Sequence, residues 1–291
     1  MFRFEKVYAD LIAEDQTVCV GYWAVSELLG RTLLHGMVEL FWADGRHEVV
    51  RTRPSPMPTS PLAGCEAPLR IELPDGEMTW EFDVRHGGVA PAPIGRALEW
   101  SVELARARVT AKWPEVTGRP TLRGLGYADR VRLTRLPDRV GLSSLRWGRV
   151  HLPDETVVFT RARFRSGRVW SEAIRWSYGS RRLAMTRFEI EDIDERVLVS
   201  LPGRSVTLTP VRVLHEGPAI DSTRFPCALN RLVMRTLAGP IHETRWLARA
   251  ERPGCEPEAD GWAIHEHVLF GRLSRESDRT LSRRRNRTPV E

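Results

Sequence analysis

The sequence predicts an all-β chain folded as two antiparallel barrels, with a short helix in the second half. Three observations predict it: apolar and polar residues alternate with period two along most of the chain, turn dipeptides separate these runs, and a proline-rich break interrupts them near the middle. Length agrees, since 291 residues suit two compact units. Many short strands favour sandwiches or barrels, and closure into barrels removes the exposed edges that so many strands would leave.

The alternation begins at Val18, Val20 and Tyr22. Leu34, Met37 to Phe41 and then Val49-Val50 flank Asp44-Gly45, while Ile71 to Leu73 and Met78 to Phe82 flank Asp75-Gly76. Asp-Gly between such runs is a strong hairpin signal. After Gly95 the rhythm changes phase: Leu98, Trp100, Val102 and Leu104 alternate, then Ala105, Ala107 and Val109 alternate in the opposite register. A one-residue bulge in a strand produces such a slip. A helix is the rival, because Leu98, Val102, Ala105 and Val109 also recur at helical spacing; the bulged strand is preferred.

Trp113 to Pro120 carries two prolines and a glycine, and the strand rhythm restarts after it. This break sets the expected domains: a first barrel over 1–118, a second over 119–273, and a disordered Arg-rich tail over 274–291. In the second half, Val157 to Phe164 and Val169 to Tyr178 surround Ser166-Gly167, with shorter strands at Leu183 to Glu189, Val197 to Leu201 and Val206 to Val213. Pro226 to Leu237 reads as the short helix, with proline suited to a first helical position and Gly239 just past the end.

The net charge of +6 invites a nucleic-acid reading, and its distribution argues against one. From Arg272 to Glu291 seven arginines face three acids, a net of +4, so the body is close to neutral. A phosphate-binding footprint lines one face of a folded unit; a terminal run such as Arg283-Arg284-Arg285-Asn286-Arg287 is ordinarily a solvated tail, and it should be dispensable. Cys19, Cys65, Cys227 and Cys255 are far apart and form no CxxC, so neither a disulfide framework nor a zinc ribbon is indicated. The opening Met1-Phe2-Arg3-Phe4-Glu5-Lys6 carries charges where a secretory signal needs an apolar run, and no stretch reaches the 18 or so apolar residues of a membrane span. A cytoplasmic location is the expectation, with peripheral contact to a membrane surface left open.

Three segments concentrate groups capable of chemistry. In Gly124-Leu-Gly126-Tyr127-Ala-Asp129, the glycines permit close approach or a bend, and a strand places Tyr127 and Asp129 on one face. In Trp147-Gly-Arg149-Val-His151, alternation gathers an indole, a guanidinium and an imidazole. Turned inward, that set would line a barrel interior; the plainer alternative is that Arg149 pairs with Asp129 or another acid while Trp147 packs. In the last strand, Trp262, Ile264, Glu266, Val268 and Phe270 share a face. A carboxyl among apolar neighbours is desolvated, which raises its pKa toward a proton-donating form. The plainer alternative, slightly favoured, is a Glu266 paired with an arginine.

His265 and His267 fall on the opposite face from Glu266, and no glutamate follows at the interval a cupin-type metal strand requires, so no metal is assigned. A metal reading would need His242 or His151 as further ligands. His242-Glu243-Thr244-Arg245-Trp246 mixes ionisable and aromatic groups in an apparent strand but is weak alone. No P-loop, no GxGxxG after a strand and no GxSxG elbow is present, which disfavours nucleotide cofactors and serine hydrolysis.

Gly126-Tyr127-x-Asp129, then Trp147-x-Arg149-x-His151 about twenty residues on, and finally Gly261-x-Ala263-x-His265-Glu266 together resemble the acyclic carotenoid hydratase (hydroxyneurosporene synthase) family, a relative of tocopherol cyclases and of lipocalin-like pericyclases. The resemblance covers most of the chain in order and spacing. It implies two tandem lipocalin-like barrels and an apolar tunnel in which an isoprenoid or polyene is protonated without a cofactor. Tyr127 and Asp129 match positions among that family's proposed catalytic residues. Leu122-Arg123 departs from the usual Trp-Ser, and Arg130-Val-Arg132 from Asn-x-Gly; these arginines would put positive charge beside the site, which suits an acidic substrate.

The chemistry is physically coherent. A carboxylic acid protonates an alkene, aromatic faces stabilise the carbocation, and water or an internal alkene captures it. Asp129 or Glu266 would be the acid, Tyr127 and Trp147 would stabilise the cation, and Arg149 or His151 would orient the acid or the water. Trp262 and His265 complete the expected binding surface. A non-catalytic carrier of a similar hydrophobic ligand is the competing reading. The two differ in whether Asp129, Glu266 and Tyr127 converge on one enclosed site, because a carrier has no need of that convergence.

Overall fold

The computed structural model describes residues 2–28, 30–53, 69–86, 92–94, 97–177, 182–218, 241–253 and 261–271. The first group of strands is β1 (Phe2–Ala13), β2 (Val18–Leu28), β3 (Arg31–Phe41), β4 (His47–Arg51), β5 (Leu69–Leu73), β6 (Gly76–His86), β7 (Ala92–Pro93), β8 (Leu98–Lys112) and β9 (Leu122–Leu133). The second is β10 (Leu142–His151), β11 (Glu155–Phe164), β12 (Val169–Ser177), β13 (Arg182–Thr186), β14 (Glu189–Ile193), β15 (Arg196–Leu201), β16 (Arg204–Pro218), β17 (Ile241–Glu251) and β18 (Gly261–Phe270). Each group forms one antiparallel sheet, in the orders β4-β3-β2-β1-β9-β8-β6-β5, with β7 on β8, and β13-β12-β11-β10-β18-β17-β16-β15-β14. Both sheets curl into nearly closed barrels, so the fold is all-β and tandem lipocalin-like. In the first, the Arg53 amide donates to the Glu72 carbonyl at 2.8 Å, bridging the two ends of the strand order. Among the described residues no helix is long and apolar enough to cross a membrane.

The hairpin turns fall where turn chemistry places them. Gly45, Gly76 and Gly167 all have positive φ; Gly45 stands between β3 and β4, Gly76 opens β6 after the turn from β5, and Gly167 stands between β11 and β12. The segment after Gly95 is the bulged strand: β8 shifts register against β9 between Val102 and Leu104 and again between Leu104 and Ala107. The slip sends Leu98, Trp100, Val102 and Ala105 to one buried cluster and Leu104, Ala107, Val109 and Ala111 to another.

One boundary moves. The prolines at 114 and 120 sit in the β8–β9 connection, and β9 pairs with β8 and with β1, so the chain changes sheet between Leu133 and Leu142 rather than at 118/119. A single helical turn, Pro137–Val140, makes that crossing, closed by Gly141 at φ 76°. The helix expected over 226–237 and the tail over 274–291 lie outside the described residues.

Strands buried on both faces supply three cores. One belongs to the first sheet (Val7, Leu11, Trp23, Val38, Trp80) and one to the second (Val150, Phe159, Val199, Leu208). The third is shared, with Tyr8, Tyr22, Trp100 and Tyr127 from the first sheet packing against Trp147, Val158, Leu247 and Ile264 of the second. Burying each large side chain contributes about 1.5–3 kcal/mol, so the shared core is what joins the barrels. Hydrogen bonds add to it: Arg106 Nη1 donates to the Leu152 carbonyl at 2.9 Å, and Arg212 Nη2 to the carbonyls of Gln16 and Phe41 at 2.8 and 3.3 Å.

Candidate functional site between the barrels

Alternation decides which side chains reach the shared face. On β1 these are Lys6, Tyr8, Asp10 and Ile12, while Val7, Ala9 and Leu11 enter the first barrel's own core. On β9 they are Leu125, Tyr127 and Asp129, followed by Val131 and Leu133. The two strands carry the same tripeptide, Tyr-Ala-Asp, at 8–10 and 127–129. Antiparallel pairing sets Tyr8 opposite Asp129, Asp10 opposite Tyr127 and Ala9 opposite Ala128, so the copies are related by a local two-fold. Glycine makes the approach possible. A Cβ at Gly124 would stand 1.9 Å from the Ile12 carbonyl oxygen, and one at Gly126 would stand 2.5 Å from that of Asp10.

Tyr127 and Asp129 come together as their spacing implies. The Tyr127 hydroxyl donates to Asp129 Oδ2 at 3.0 Å, and the Trp100 indole N–H donates to the same oxygen at 3.1 Å. Tyr127 is fully buried and Asp129 is 5% exposed. Burial pushes the Asp129 carboxyl from its ordinary 3.8 up to about 7, against the opposing pull of the Trp100 and Tyr127 hydrogen bonds and the Lys6 charge. Burial likewise holds the Tyr127 phenol well above its ordinary value, so it remains a donor.

Trp147 closes the aromatic wall. Its ring lies 5.5 Å from Tyr127 and 5.2 Å from Tyr8, and Tyr8 lies 5.4 Å from Tyr22 in an edge-on contact. The face containing Trp147, Arg149 and His151 therefore turns toward the other barrel and not into its own interior. Gly148 between them allows this packing, since a Cβ there would meet the Phe159 ring at 2.4 Å.

Arg149 does not pair with Asp129. It is fully buried and clasps Asp10, through Nε at 2.8 and 3.0 Å to the two carboxylate oxygens and through Nη2 at 2.5 Å. Burial raises the Asp10 carboxyl and the Arg149 guanidinium opposes it. His151 is buried beyond this pair, its Nδ1 2.8 Å from Thr156 Oγ1; burial and the charge of Arg149 keep it neutral, well below its ordinary range.

Glu266 is not a lone carboxyl among apolar neighbours. It is hydrogen-bonded to Arg245, directly opposite on β17, and is not bonded to Tyr127 or Asp129. Arg245 also holds Glu243 at 2.5 Å and Glu39 at 3.6 Å, and its guanidinium carbon lies 5.5 Å from the Tyr22 ring centroid and 5.9 Å from that of Tyr8. Burial raises the Glu266 carboxyl, Arg245 draws it back, and the Glu243 charge pushes it up again, leaving the net direction upward.

His265 is not brought to this face. It stacks on Trp246 at 4.8 Å and 18°, and burial lowers it to about 3, leaving a neutral ring. His267 is lowered to about 4, again mainly by burial. Among the described residues no three His, Cys, Asp or Glu side chains are placed to hold a metal. Arg130 and Arg132 do not stand beside the site either: they leave β9 on the other face, where Arg130 bonds Glu103 at 2.9 Å and Glu5 at 2.6 Å, and Arg132 bonds Glu5 at 3.3 Å.

Sequence reasoning missed Tyr8, Asp10, Tyr22, Trp100 and Arg245. The repeated Tyr-Ala-Asp was the available signal for the first two.

Two cavities flank the shared face. One, of about 190 Å³, is lined by Ile94, Ala97, Val140 and Phe164 with Arg135, Arg139 and Arg168. The other, of about 600 Å³, is lined by Ile12, Val109, Leu125, His151 and Trp262 with Arg108 and Arg123. Asp129 lines neither; it stands four residues along β9 from Leu125 of the larger one, about 13 Å away.

No protein-family model and no curated protein sequence matches this chain. Solved structures do. CghA is similar over 94% of this chain and 90% of its own, at TM-score 0.59 and 12% identity. A Nitrosomonas europaea protein provisionally named AttH is similar over 93% of each chain, at TM-score 0.58 and 12% identity. Kievitone hydratase from Nectria haematococca is similar over 92% of this chain and 88% of its own, at TM-score 0.56 and 10% identity. At such identities the likeness establishes the shared fold.

Proposed function

We propose that the protein is a cofactor-independent hydratase, isomerase or cyclase that acts by acid catalysis on a hydrophobic isoprenoid or polyene-like substrate at the face between its barrels. One observation carries the reading: Asp129 is enclosed, has no arginine or lysine among the described residues bonded to its carboxyl, is raised to about 7 by burial, and stands among Tyr127, Trp100, Tyr8 and Trp147. A carboxyl with that pKa is a competent general acid near neutral pH.

The protonated Asp129 gives its proton to an alkene carbon. The carbocation rests against the faces of Tyr127, Tyr8 and Trp147, and the Asp129 carboxylate left behind is stabilised by the two N–H and O–H donors already aimed at it. Water adds to the cation in a hydration, an internal alkene closes a ring in a cyclisation, and in an isomerisation Asp129 recovers a proton from a neighbouring carbon. Exclusion of bulk water by the joined barrels protects the cation. Glu266, raised but bonded to Arg245, ranks second as the acid. That kievitone hydratase shares the fold is in keeping with hydration chemistry in this scaffold.

Small molecules that co-purify with the protein, identified by mass spectrometry, supply the substrate candidates. Turnover of such a polyene or isoprenoid in D₂O should place deuterium on carbon, and Asp129→Asn should abolish turnover while binding stays within about threefold. Undiminished turnover in that variant removes Asp129 from the mechanism. Binding with no conversion under any condition leaves the carrier reading.

A further inference from the structure

The cavity of about 600 Å³ is built by five strands, β1, β8, β9, β10 and β18, that meet at one end of the shared face. Ile12 of β1, Leu125 of β9, His151 of β10 and Trp262 of β18 line it, and the next residues inward on the same faces are Asp10, Tyr127, Arg149 and Ile264. Behind that lining, one step further along the strands, lie the Asp10–Arg149 ion pair and Tyr127. A volume of this size and this mixture of apolar and few polar groups suits a small organic ligand.

Arg108 and Arg123 stand at the outer part. Thr110 pairs with Arg123 and Arg108 with Leu125 across β8 and β9, so both guanidinium side chains leave on the same face as Leu125, Tyr127 and Asp129. Both are exposed, and no described carboxylate forms an ion pair with either, whereas most of the other described arginines are bound to acids or carbonyls. Glu14 lines the same cavity and leaves its charged rim with a net of one positive charge. Deeper in, the buried His151 Nε2 has no hydrogen-bond partner among the described residues.

We infer that this cavity binds a ligand with a single anionic head, a carboxylate, at Arg108 and Arg123, its apolar chain lying between Ile12, Leu125 and Trp262 and pointing toward Tyr127. Two unpaired guanidinium groups at the rim of an apolar pocket match a carboxylate in charge and geometry, and one compensating glutamate favours a monoanion over a diphosphate. The inference deepens the proposed function by naming an acidic hydrophobic substrate class, and it rests on the shared face being the ligand site. It does not depend on Asp129 chemistry.

Equilibrium binding of farnesoic acid and farnesol to the full chain at pH 8, with farnesyl diphosphate as a third arm, tests it. Farnesoic acid should bind at least tenfold more tightly than farnesol, in the wild type and in Asp129→Asn alike. The Arg108→Ala/Arg123→Ala double variant, altered only at exposed positions, should bind the two with equal affinity. Equal affinity in the wild type, no binding of either, or a preference that survives the double substitution overturns the site. Tighter binding of the diphosphate overturns the carboxylate assignment. Acid-selective binding without turnover would instead count against the proposed catalysis alone.

Discussion

Tyr8-Ala9-Asp10 and Tyr127-Ala128-Asp129 are one tripeptide twice, on paired antiparallel strands, yet their carboxyls meet opposite surroundings. Asp10 receives a buried guanidinium from a residue 139 positions away, across the barrel interface. Among the described residues Asp129 receives only neutral donors, one indole N–H and one phenol O–H. Burial raises both; the Arg149 guanidinium draws Asp10 back, whereas Asp129, held by neutral donors, is raised to about 7 and keeps a proton to give near neutral pH. The charge of a buried acid thus depends on which groups the fold sets against it.

Breaking the Asp10 side of the comparison should have the largest effect. Asp10→Ala leaves Arg149 buried without its carboxylate and should cost about 3–5 kcal/mol in denaturant unfolding, because an unpaired interior charge is poorly solvated. Asp10→Leu combined with Arg149→Met should recover most of that loss, since an apolar pair of similar volume needs no charge compensation. If the single and double variants were equally unstable, the ion pair would not be what holds the barrels there.

The Asp129 side sharpens the contrast through pH. Its carboxyl ionises near 3.8 in the unfolded chain and only near 7 in the folded one, so the protonated form favours folding below about 4 and that contribution fades as pH climbs to about 7. Asp129→Asn does not titrate. Relative to wild type it should gain about 2 kcal/mol in unfolding free energy between pH 5 and pH 8. A pH-independent difference would mean that Asp129 ionises normally.

Much of this was legible in sequence where the physics is local. Asp44-Gly45 and Asp75-Gly76 encode hairpins by backbone conformation alone, and the phase slip at Leu104-Ala105 shows in which residues are apolar. Tyr127 with Asp129, and Trp147 with Arg149, share faces by simple parity. What was not legible depends on partners far along the chain. Neither the Asp10–Arg149 bond nor the capture of Glu266 by Arg245 follows from spacing, because both need the pairing of whole strands. Pro114 and Pro120 misled for a related reason: a tight β-strand connection and a domain linker use the same turn residues, and only the bonds from β9 to β1 tell them apart.

The smallest effects concern the donors around Asp129. Each hydrogen bond lowers its pKa, Trp100 more than Tyr127, so Trp100→Phe should raise the carboxyl further above 7 than Tyr127→Phe does. Substitutions with equal effect, or with none, would place the control elsewhere.

The most direct measurement is a carbon-13 NMR titration of aspartate side chains, with the Asp129 resonance assigned by its loss in Asp129→Asn. A midpoint near 7 is the result required for an enclosed acid that can protonate a substrate. A midpoint near 4 would show a solvated, ionised carboxylate and contradict it.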